Sequence, residues 1–233
     1  MKNALAEQTV NAWTYPLTVH AGHLLIDTEF GRYLIDTGSP VSLAETPVCL
    51  AARNFSAASS TLGISSIESI VEMVGTPFDA LIGTDVLENF DIEISLAEGT
   101  LSLSEEFIDV TSGLSVEFIA GVPLIDCEVA GRTAQCFLDT GAPLSYLPGE
   151  WLRSAPSLGE IEDFHPLLGR FRVDTHAILM HCLGKKVTLR VGCMPSLLES
   201  AIGIAGASGI IGTQMFEQGV LSLSQRQQRA KFI

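Results

Sequence analysis

Residues 33–43 read YLIDTGSPVSL, and residues 136–146 read CFLDTGAPLSY. Both stretches consist of an apolar run, Asp-Thr-Gly, a small residue, Pro, an apolar residue, Ser and a further apolar residue. Two more blocks follow each stretch in the same order, and these are FDALIGT (78–84) with GTLSLS (99–104), and ASGIIGT (207–213) with GVLSLS (219–224). Internal similarity of this kind indicates a duplicated unit.

Both halves of the chain have the pattern of short strands. The runs 24–30 and 32–35 flank Gly31 and predict a hairpin that leads directly into Asp36. The same pattern predicts further strands at 91–96, at 123–129 with 134–138, and at 177–182 with 186–191. Short helices are expected at 84–90, 196–201 and 213–218.

Regular strands with a few short helices predict an all-β fold. We expect two β-barrel-like lobes related by a pseudo-twofold axis. A Thr-Ser-Gly stretch at 111–113 interrupts the strands and marks the boundary between the lobes. The predicted N-terminal lobe is 1–112 and the predicted C-terminal lobe is 113–233, so each lobe carries one Asp-Thr-Gly.

Composition restricts the classes of function. The chain of 233 residues is 47% hydrophobic and 17% charged, with a formal net charge of −14. A field of this sign repels phosphate backbones and anionic lipid surfaces, so neither a nucleic acid nor a membrane is an expected partner. No stretch approaches the ~20 apolar residues of a membrane span, and residues 1–15 lack the continuous apolar run of a secretory signal. We therefore expect a cytoplasmic protein.

The five cysteines and five histidines form no recognisable ligand motif. The cysteines lack CxxC spacing, and reduced, mostly buried thiols are the leading interpretation. A disulfide between Cys182 and Cys193 across a hairpin is the alternative. The histidines show neither HExxH nor another coherent spacing, so no metal and no other cofactor are expected.

The two repeated aspartates, Asp36 and Asp139, are the predicted catalytic residues. Each follows an apolar strand that would hold its carboxyl on a rigid scaffold. If the halves pack about a pseudo-twofold axis, the carboxyls become neighbours that share one proton, because two like charges at close range do not both ionise easily. One carboxylate can then deprotonate a water while the other, protonated, donates to a carbonyl oxygen. This arrangement predicts amide hydrolysis without a metal or a covalent intermediate.

The residues beside the aspartates are expected to hold the pair in place. The two threonines would face inward at the lobe junction, where each buried hydroxyl needs a partner and the opposite loop offers one. The glycines permit a close approach of the backbone. The predicted support of the aspartate pair is Thr37, Gly38, Ser39, Thr140, Gly141 and Ala142.

The two loops differ at one position, where Ser39 stands opposite Ala142. We expect the Ser39 hydroxyl to bond the outer oxygen of Asp36 and to favour its ionised form. The shared proton would then reside more often on Asp139.

These motifs resemble those of the aspartic proteases. Asp-Thr-Gly-Ser at 36–39 is similar to the pepsin form, and Asp-Thr-Gly-Ala at 139–142 is similar to the retroviral protease form. The apolar-apolar-Gly blocks at 81–83 and 210–212 fit both forms. The resemblance implies the acid protease fold with a cleft between its lobes, hydrolysis of peptide bonds in peptides or unfolded proteins, and sensitivity to pepstatin-like inhibitors.

The chain departs from the pepsin pattern in the flap, the hairpin that covers the substrate. Pepsin-like flaps carry a Tyr, whereas residues 47–77 contain neither Tyr nor Trp, and Phe55 is their aromatic residue. The flap is expected within 54–66, with Gly63 near its tip. Trp151 or a hairpin at 177–191 is the alternative cover of the cleft.

Three functions remain open at this point. The first is an active endopeptidase that works as a monomer, because one chain carries both Asp-Thr-Gly loops. The second is a catalytically weak or inactive module of the protease fold that binds peptides or proteins, which the missing flap aromatic favours. The third is a protein whose halves pair between two chains, as a dimer.

Overall fold

The computed structural model describes residues 11–61, 65–217 and 219–233. Strands account for most of it, and the predicted all-β class is confirmed. The strands up to residue 112, the first half, are β1 (Ala12–His20), β2 (His23–Thr28), β3 (Gly31–Ile35), β4 (Leu43–Ala44), β5 (Val48–Leu50), β6 (Arg53–Phe55), β7 (Ser60–Thr61), β8 (Ser65–Ser66), β9 (Ala80–Ile82), β10 (Asp91–Ser95) and β11 (Thr100–Ser104). Those of the second half are β12 (Leu114–Ser115), β13 (Glu117–Ile119), β14 (Val122–Val129), β15 (Arg132–Leu138), β16 (Ser145–Leu147), β17 (Ser157–His165), β18 (Gly169–Cys182), β19 (Lys185–Cys193), β20 (Gly209–Ile211), β21 (Val220–Ser224) and β22 (Arg229–Phe232).

The helices are short and connect the strands. They are α1 (Ile67–Val74), α2 (Thr84–Leu87), α3 (Gly149–Leu152), α4 (Ser196–Ile204) and a 3₁₀ turn at Thr213–Phe216. The predicted helix at 84–90 corresponds to α2, which is shorter than predicted. The predicted helix at 196–201 corresponds to α4, which is longer than predicted. Gln218, the last residue of the third predicted helix, lies outside the described residues.

Helix α1 was not predicted, although its ends carry ordinary signals. Its N-cap Ser66 accepts a hydrogen bond from the backbone N–H of Ser69, and it ends at Gly75, whose backbone is left-handed. Ile70 and Val74, four residues apart on one face, are buried. The helix is therefore anchored by one apolar face.

The strands form two large sheets. The first sheet has the order β12-β22-β21-β10-β11-β1-β2-β3-β9-β4, and the second has the order β13-β14-β15-β20-β16-β19-β18-β17. Three strands of the second half, β12, β21 and β22, thus belong to the first sheet. The division into lobes at 112/113 stays a prediction, because the first sheet contains strands from both halves.

The predicted hairpins in front of both Asp-Thr-Gly loops are confirmed. Strand β2 pairs with β3, and β14 pairs with β15. Each loop-bearing strand has a parallel neighbour, with Ile35 beside Ile82 in the first half and Leu138 beside Ile211 in the second. The two halves therefore deliver their aspartates from equivalent strand pairs.

The two halves are joined by the pairing of β10 with β21, which sets Ile94 opposite Leu221. Beside this seam lies Asp91, which is fully buried. Its carboxylate accepts hydrogen bonds from Ser224 at 2.7 Å and from Arg226, whose guanidinium lies 2.9 Å away. A buried carboxylate held in this way joins the end of the chain to the first half.

All five cysteines are free. Cys182 lies opposite Lys185 within the β18–β19 hairpin and opposite Cys127 on β14. The alternative of a Cys182–Cys193 disulfide is therefore wrong, because the strand register does not bring these two residues together.

None of the helices in the described part of the chain has both the length and the apolar character needed to cross a lipid bilayer. The prediction about a secretory signal concerns residues 1–15, of which 1–10 lie outside the described residues.

Candidate active site

Asp36 and Asp139 lie at the ends of β3 and β15 in equivalent settings. The backbone N–H of Asp36 donates to the carbonyl oxygen of Ile82 at 3.0 Å, and that of Asp139 donates to the carbonyl oxygen of Ile211 at 2.9 Å. The apolar-apolar-Gly blocks thus fix the point at which each strand turns into its loop. The repeated sequence blocks have equivalent contacts in the two halves.

The serines of the repeated frame bond the glycines of the downstream blocks. The Ser42 hydroxyl accepts from the N–H of Gly83 at 2.9 Å, and the Ser145 hydroxyl accepts from the N–H of Gly212 at 3.0 Å. A β-carbon on Gly83 would collide with the carbonyl group of Val41. These contacts explain why Ser and Gly recur at these positions, and the role of the two serines is one that sequence reasoning missed.

Thr37 and Thr140 connect the two loops by four hydrogen bonds. The backbone N–H of each threonine donates to the hydroxyl of the other at 3.0 Å. The Thr37 hydroxyl donates to the carbonyl of Leu138 at 2.7 Å, and the Thr140 hydroxyl donates to the carbonyl of Ile35 at 2.9 Å. Both side chains are buried. Each hydroxyl is fully used as donor and acceptor, so the loops have a fixed relative position.

Gly38 and Gly141 lie directly against the carboxyl group of the opposite loop. A β-carbon on Gly38 would collide with the carboxyl of Asp139, and a β-carbon on Gly141 would collide with the carboxyl of Asp36. Each glycine also donates its N–H to the aspartate of its own loop, at 2.9 Å and 2.8 Å. The absence of side chains at both positions is what lets the two carboxyls approach each other.

The surroundings favour a shared proton on this pair. Burial raises the pKa of both carboxyls, and the charge of Asp139 raises the pKa of Asp36 further. The N–H donors of Gly38 and Gly141 act in the opposite direction, because they stabilise the ionised form. The pair therefore keeps a proton at a pH at which an isolated Asp is ionised.

The Ser39 hydroxyl does not bond Asp36, and this expectation was wrong. The hydroxyl donates to the carbonyl oxygen of Val41 at 2.7 Å, while the backbone N–H of Ser39 donates to Oδ1 of Asp36 at 3.0 Å. Ala142 donates its N–H to Oδ1 of Asp139 in the same way, at 3.1 Å. The difference between Ser and Ala thus gives no reason to assign the proton to Asp139, since both loops present the same backbone donor.

Asp36 and Asp139 face a common cavity of about 380 Å³. Its wall in the first half is mostly apolar and includes Leu34, Leu43, Ile70, Val74 and Leu81. Its wall in the second half includes Ala142, Tyr146, Asp163, Phe171, Leu198 and Ile210. The two carboxyls therefore lie in a mostly apolar cleft lined by residues of both halves, the kind of site that binds a ligand.

The cleft is covered by the β17–β18 hairpin, whose tip comprises residues 165–169. The tip reaches the first half, where the Ser65 hydroxyl donates to the carbonyl of Pro166 at 2.9 Å. Arg170 donates to the carbonyl oxygens of Glu72 and Met73, at 3.3 Å and 3.2 Å, at the end of helix α1. We call these contacts the clasp.

The covering hairpin differs from each of the expected covers. Ala58 and Ser60 of the predicted flap 54–66 line the cavity, and Gly63 lies outside the described residues. Trp151 lies on a separate groove of the second half. Strand β18 does belong to the cover, but it pairs there with β17 rather than with β19.

His23 lies beneath the hairpin and is 4% exposed. Its ring lies 5.6 Å from that of Phe164, measured between centroids. Within the described part of the chain its Nδ1 has no hydrogen-bond partner. Burial lowers the pKa of His23 to about 4. The imidazole is therefore neutral over most of the pH range and acts as part of the cleft wall.

Sequence reasoning missed Asp163, a third carboxylate of the cleft. Its Oδ2 accepts a hydrogen bond from the hydroxyl of Tyr146, and its Oδ1 accepts from the N–H of Phe164 at 2.8 Å. Burial raises the pKa of this carboxyl, which the two hydrogen bonds oppose. A usable signal was the run EIEDF at 160–164 opposite RFRVD at 170–174, since alternating acidic and basic residues predict a paired hairpin.

Among residues 11–61, 65–217 and 219–233, no three His, Cys, Asp or Glu side chains are grouped so that they could hold a metal ion.

No protein-family model and no curated protein matches the chain. Among solved structures, it is similar to a foamy viral protease-reverse transcriptase in complex with an RNA/DNA hybrid, with a TM-score of 0.32 and 20% identity over 40% of this chain and 11% of that one. It is also similar to the protease of Simian Foamy Virus (mac), with a TM-score of 0.30 and 15% identity over 39% of this chain and 88% of that one. Likenesses of this extent do not establish the family of the chain.

Proposed function

We propose that the chain is an aspartic endopeptidase whose catalytic residues are Asp36 and Asp139. The observation that carries the proposal is the junction of the two Asp-Thr-Gly loops, in which Thr37 and Thr140 exchange hydrogen bonds while both carboxyls face one cavity. Turn-forming aspartates at two unrelated strand ends would have no reason to share a cavity. Their raised pKa values fit a pair that works as acid and base together.

The proposed reaction is the direct attack of water on a peptide bond. One carboxylate of the pair removes a proton from the water, while the protonated partner donates to the carbonyl oxygen of the substrate. The resulting tetrahedral intermediate collapses when the leaving nitrogen takes up the proton that was removed from the water. The C–N bond breaks, and the hydroxyl formed from the carbonyl oxygen returns its proton to the carboxyl pair. The backbone N–H groups of Gly38 and Gly141 stabilise whichever carboxyl is ionised at each stage.

The proposed substrate is an extended peptide or an unfolded protein. An extended backbone fits a cleft that runs between two halves under a hairpin, and the apolar first-half wall accepts apolar side chains. One chain supplies both aspartates, so we propose that the monomer is the active form. A molar mass measured by light scattering tests this, because an active dimer would contradict it.

The test is digestion of a peptide library between about pH 3 and about pH 7, with and without pepstatin, since coupled carboxyls titrate in this range. Asp36→Asn and Asp139→Asn should each abolish cleavage. Asp126→Asn is the matched control, because Asp126 is exposed on β14, away from the cleft. Cleavage that survives in either catalytic variant would contradict the proposal.

The second candidate is a module that binds peptides with little or no hydrolysis. It is favoured by the clasp, which holds the β17–β18 hairpin against the first half and covers the cleft. Binding of library peptides without cleavage at any pH would support this candidate over the peptidase.

A further inference from the structure

Asp163 is the charged group of the cleft that the proposed reaction does not use. It lies on β17, and its carboxylate is fixed by the hydroxyl of Tyr146 and the N–H of Phe164. Tyr146 is itself buried at 4% exposure and packs against Phe171 in a tilted arrangement, with 6.3 Å between the ring centroids. The carboxylate therefore has a defined position in the second-half wall, among apolar side chains.

The other acidic residues of this strand have cationic partners, and Asp163 does not. Glu160 pairs with Arg172 at 2.8 Å, and Glu162 pairs with Arg170 at 3.4 Å. Within the described ranges, no basic side chain forms a salt bridge with Asp163. A carboxylate in apolar surroundings is costly unless it is paired. Two hydrogen bonds use part of its acceptor capacity and leave its charge uncompensated.

Asp163 is also close enough to the aspartate pair to influence it. Its charge raises the pKa of Asp139. A ligand group that contacts Asp163 is therefore near the bond that the pair would cleave. The negative charges of the cleft, on Asp163 and on the ionised member of the pair, together favour a cation in this part of it.

We propose that Asp163 is a specificity-determining residue that selects a lysine or arginine side chain next to the scissile bond, on the second-half side of the cleft. This inference rests on the proposed peptidase function. The long apolar stem of such a side chain packs along the wall formed by Phe171 and Ile210, and its charged end pairs with Asp163. Apart from Asp36 itself, the described part of the first-half wall, in contrast, carries no acidic side chain that could pair with a cation on the other side of the bond.

The test compares two non-cleavable peptides in which statine replaces the scissile residue. The two peptides differ at one position next to the statine, where one carries lysine and the other carries norleucine, which lacks the amine. One such pair places this position before the statine, and a second pair places it after the statine. Binding is measured by calorimetry at about pH 7.5, well above the ordinary pKa range of carboxyls, because burial raises the pKa of Asp163. The wild type should bind the lysine peptide at least about tenfold more tightly on one side, as expected for a hydrogen bond between charged groups.

Asp163→Asn should reduce this ratio to about one and leave the affinity for the norleucine peptide unchanged, because the amide oxygen can accept from the N–H of Phe164 while its NH2 donates to the Tyr146 hydroxyl oxygen. Glu160→Gln removes the same charge from an exposed site of the same strand and should keep the ratio. If Asp163→Asn loses affinity for both peptides to the same extent, the residue has a structural role and the inference is overturned. If the wild type binds both peptides equally well, only the inference about Asp163 is overturned. If the wild type binds neither peptide, the proposed peptidase function is overturned as well.

Discussion

The backbone N–H of Thr37 donates to the hydroxyl of Thr140 at 3.0 Å, and the backbone N–H of Thr140 donates to the hydroxyl of Thr37 at the same distance. This reciprocal pair lies directly behind the two carboxyls and contains no exposed polar atom. Neither loop can shift without breaking bonds of the other. The geometry of the aspartate pair is therefore coupled to the stability of the junction.

Thr37→Val should destabilise the fold, because it removes a buried hydroxyl and leaves the N–H of Thr140 and the carbonyl of Leu138 without partners. We expect a loss of about 1–3 kcal/mol in the free energy of unfolding, measured in urea. The double variant Thr37→Val, Thr140→Val should lose less than the sum of the single variants, because the first substitution already loosens the junction that both hydroxyls hold. Thr37→Ser keeps the hydroxyl and serves as the control; additive losses would contradict the coupling.

Asp139→Asn should stabilise the protein at neutral pH. The pKa of Asp139 is raised in the folded state, so ionisation destabilises the fold as the pH rises above the unfolded-state pKa of about 3.9. The amide carries no such penalty, and we expect a gain of about 1 kcal/mol at about pH 7 that vanishes near pH 3. Thermal unfolding at both pH values measures it. A gain of equal size at both would show that ionisation is not its cause.

Asp163→Asn should move the alkaline limb of the pH–rate profile to lower pH. The charge of Asp163 raises the pKa of Asp139 and so helps the pair to retain its proton. Without that charge the last proton is lost at a lower pH. Cleavage rates of one apolar peptide across the pH range give the shift. A limb that stays in place or moves upward would rule out this electrostatic influence.

Arg170→Ala should loosen the hairpin that covers the cleft. The substitution removes both hydrogen bonds to the end of helix α1 and leaves Ser65 and Pro166 as the polar contact of the clasp. We expect hydrogen exchange in residues 165–169 to accelerate roughly fivefold, corresponding to about 1 kcal/mol. Arg172→Ala is the control, because Arg172 pairs with Glu160 in an exposed position. Equal acceleration in both variants would exclude a specific role of the clasp.

Arg226→Ala should destabilise the seam between β10 and β21. It leaves the fully buried Asp91 without its cationic partner, although Ser224 and Gln227 still donate to the carboxylate. We expect a loss of about 1–3 kcal/mol in urea unfolding. Arg172→Ala is the comparison, because it breaks the exposed ion pair of Arg172 with Glu160. It should lower the free energy of unfolding by less than about 1 kcal/mol. Indistinguishable losses would show that burial of Asp91 is unimportant.

The sequence was sufficient for the strand framework around the two loops. Alternation and glycine turns predicted the hairpins β2–β3 and β14–β15, because these pairs are local in the chain and have one buried face. The repeat around Asp36 and Asp139 predicted that two loops would meet. Their catalytic role stays a prediction, since position alone does not show activity.

Three features of the site could not be predicted from the sequence. The Ser39 hydroxyl bonds the carbonyl oxygen of Val41 rather than Asp36 because of the local loop conformation, which the sequence does not specify. The cover of the cleft was expected within 54–66, with Trp151 or a hairpin at 177–191 as the alternative, whereas it comes from β17 and β18. Asp163 became a candidate only when the hairpin brought it over the cleft, because nothing in its own sequence neighbourhood relates it to Asp139.

The insertion of β21 between β10 and β22 also has a consequence for biosynthesis. A ribosome completes β10 more than a hundred residues before β21 emerges, so the nascent first half has an open sheet edge during most of translation. Exposed edges of this kind associate with other chains. A fragment that stops before β21 should accordingly collect in inclusion bodies, and co-production of the missing piece should restore it to solution.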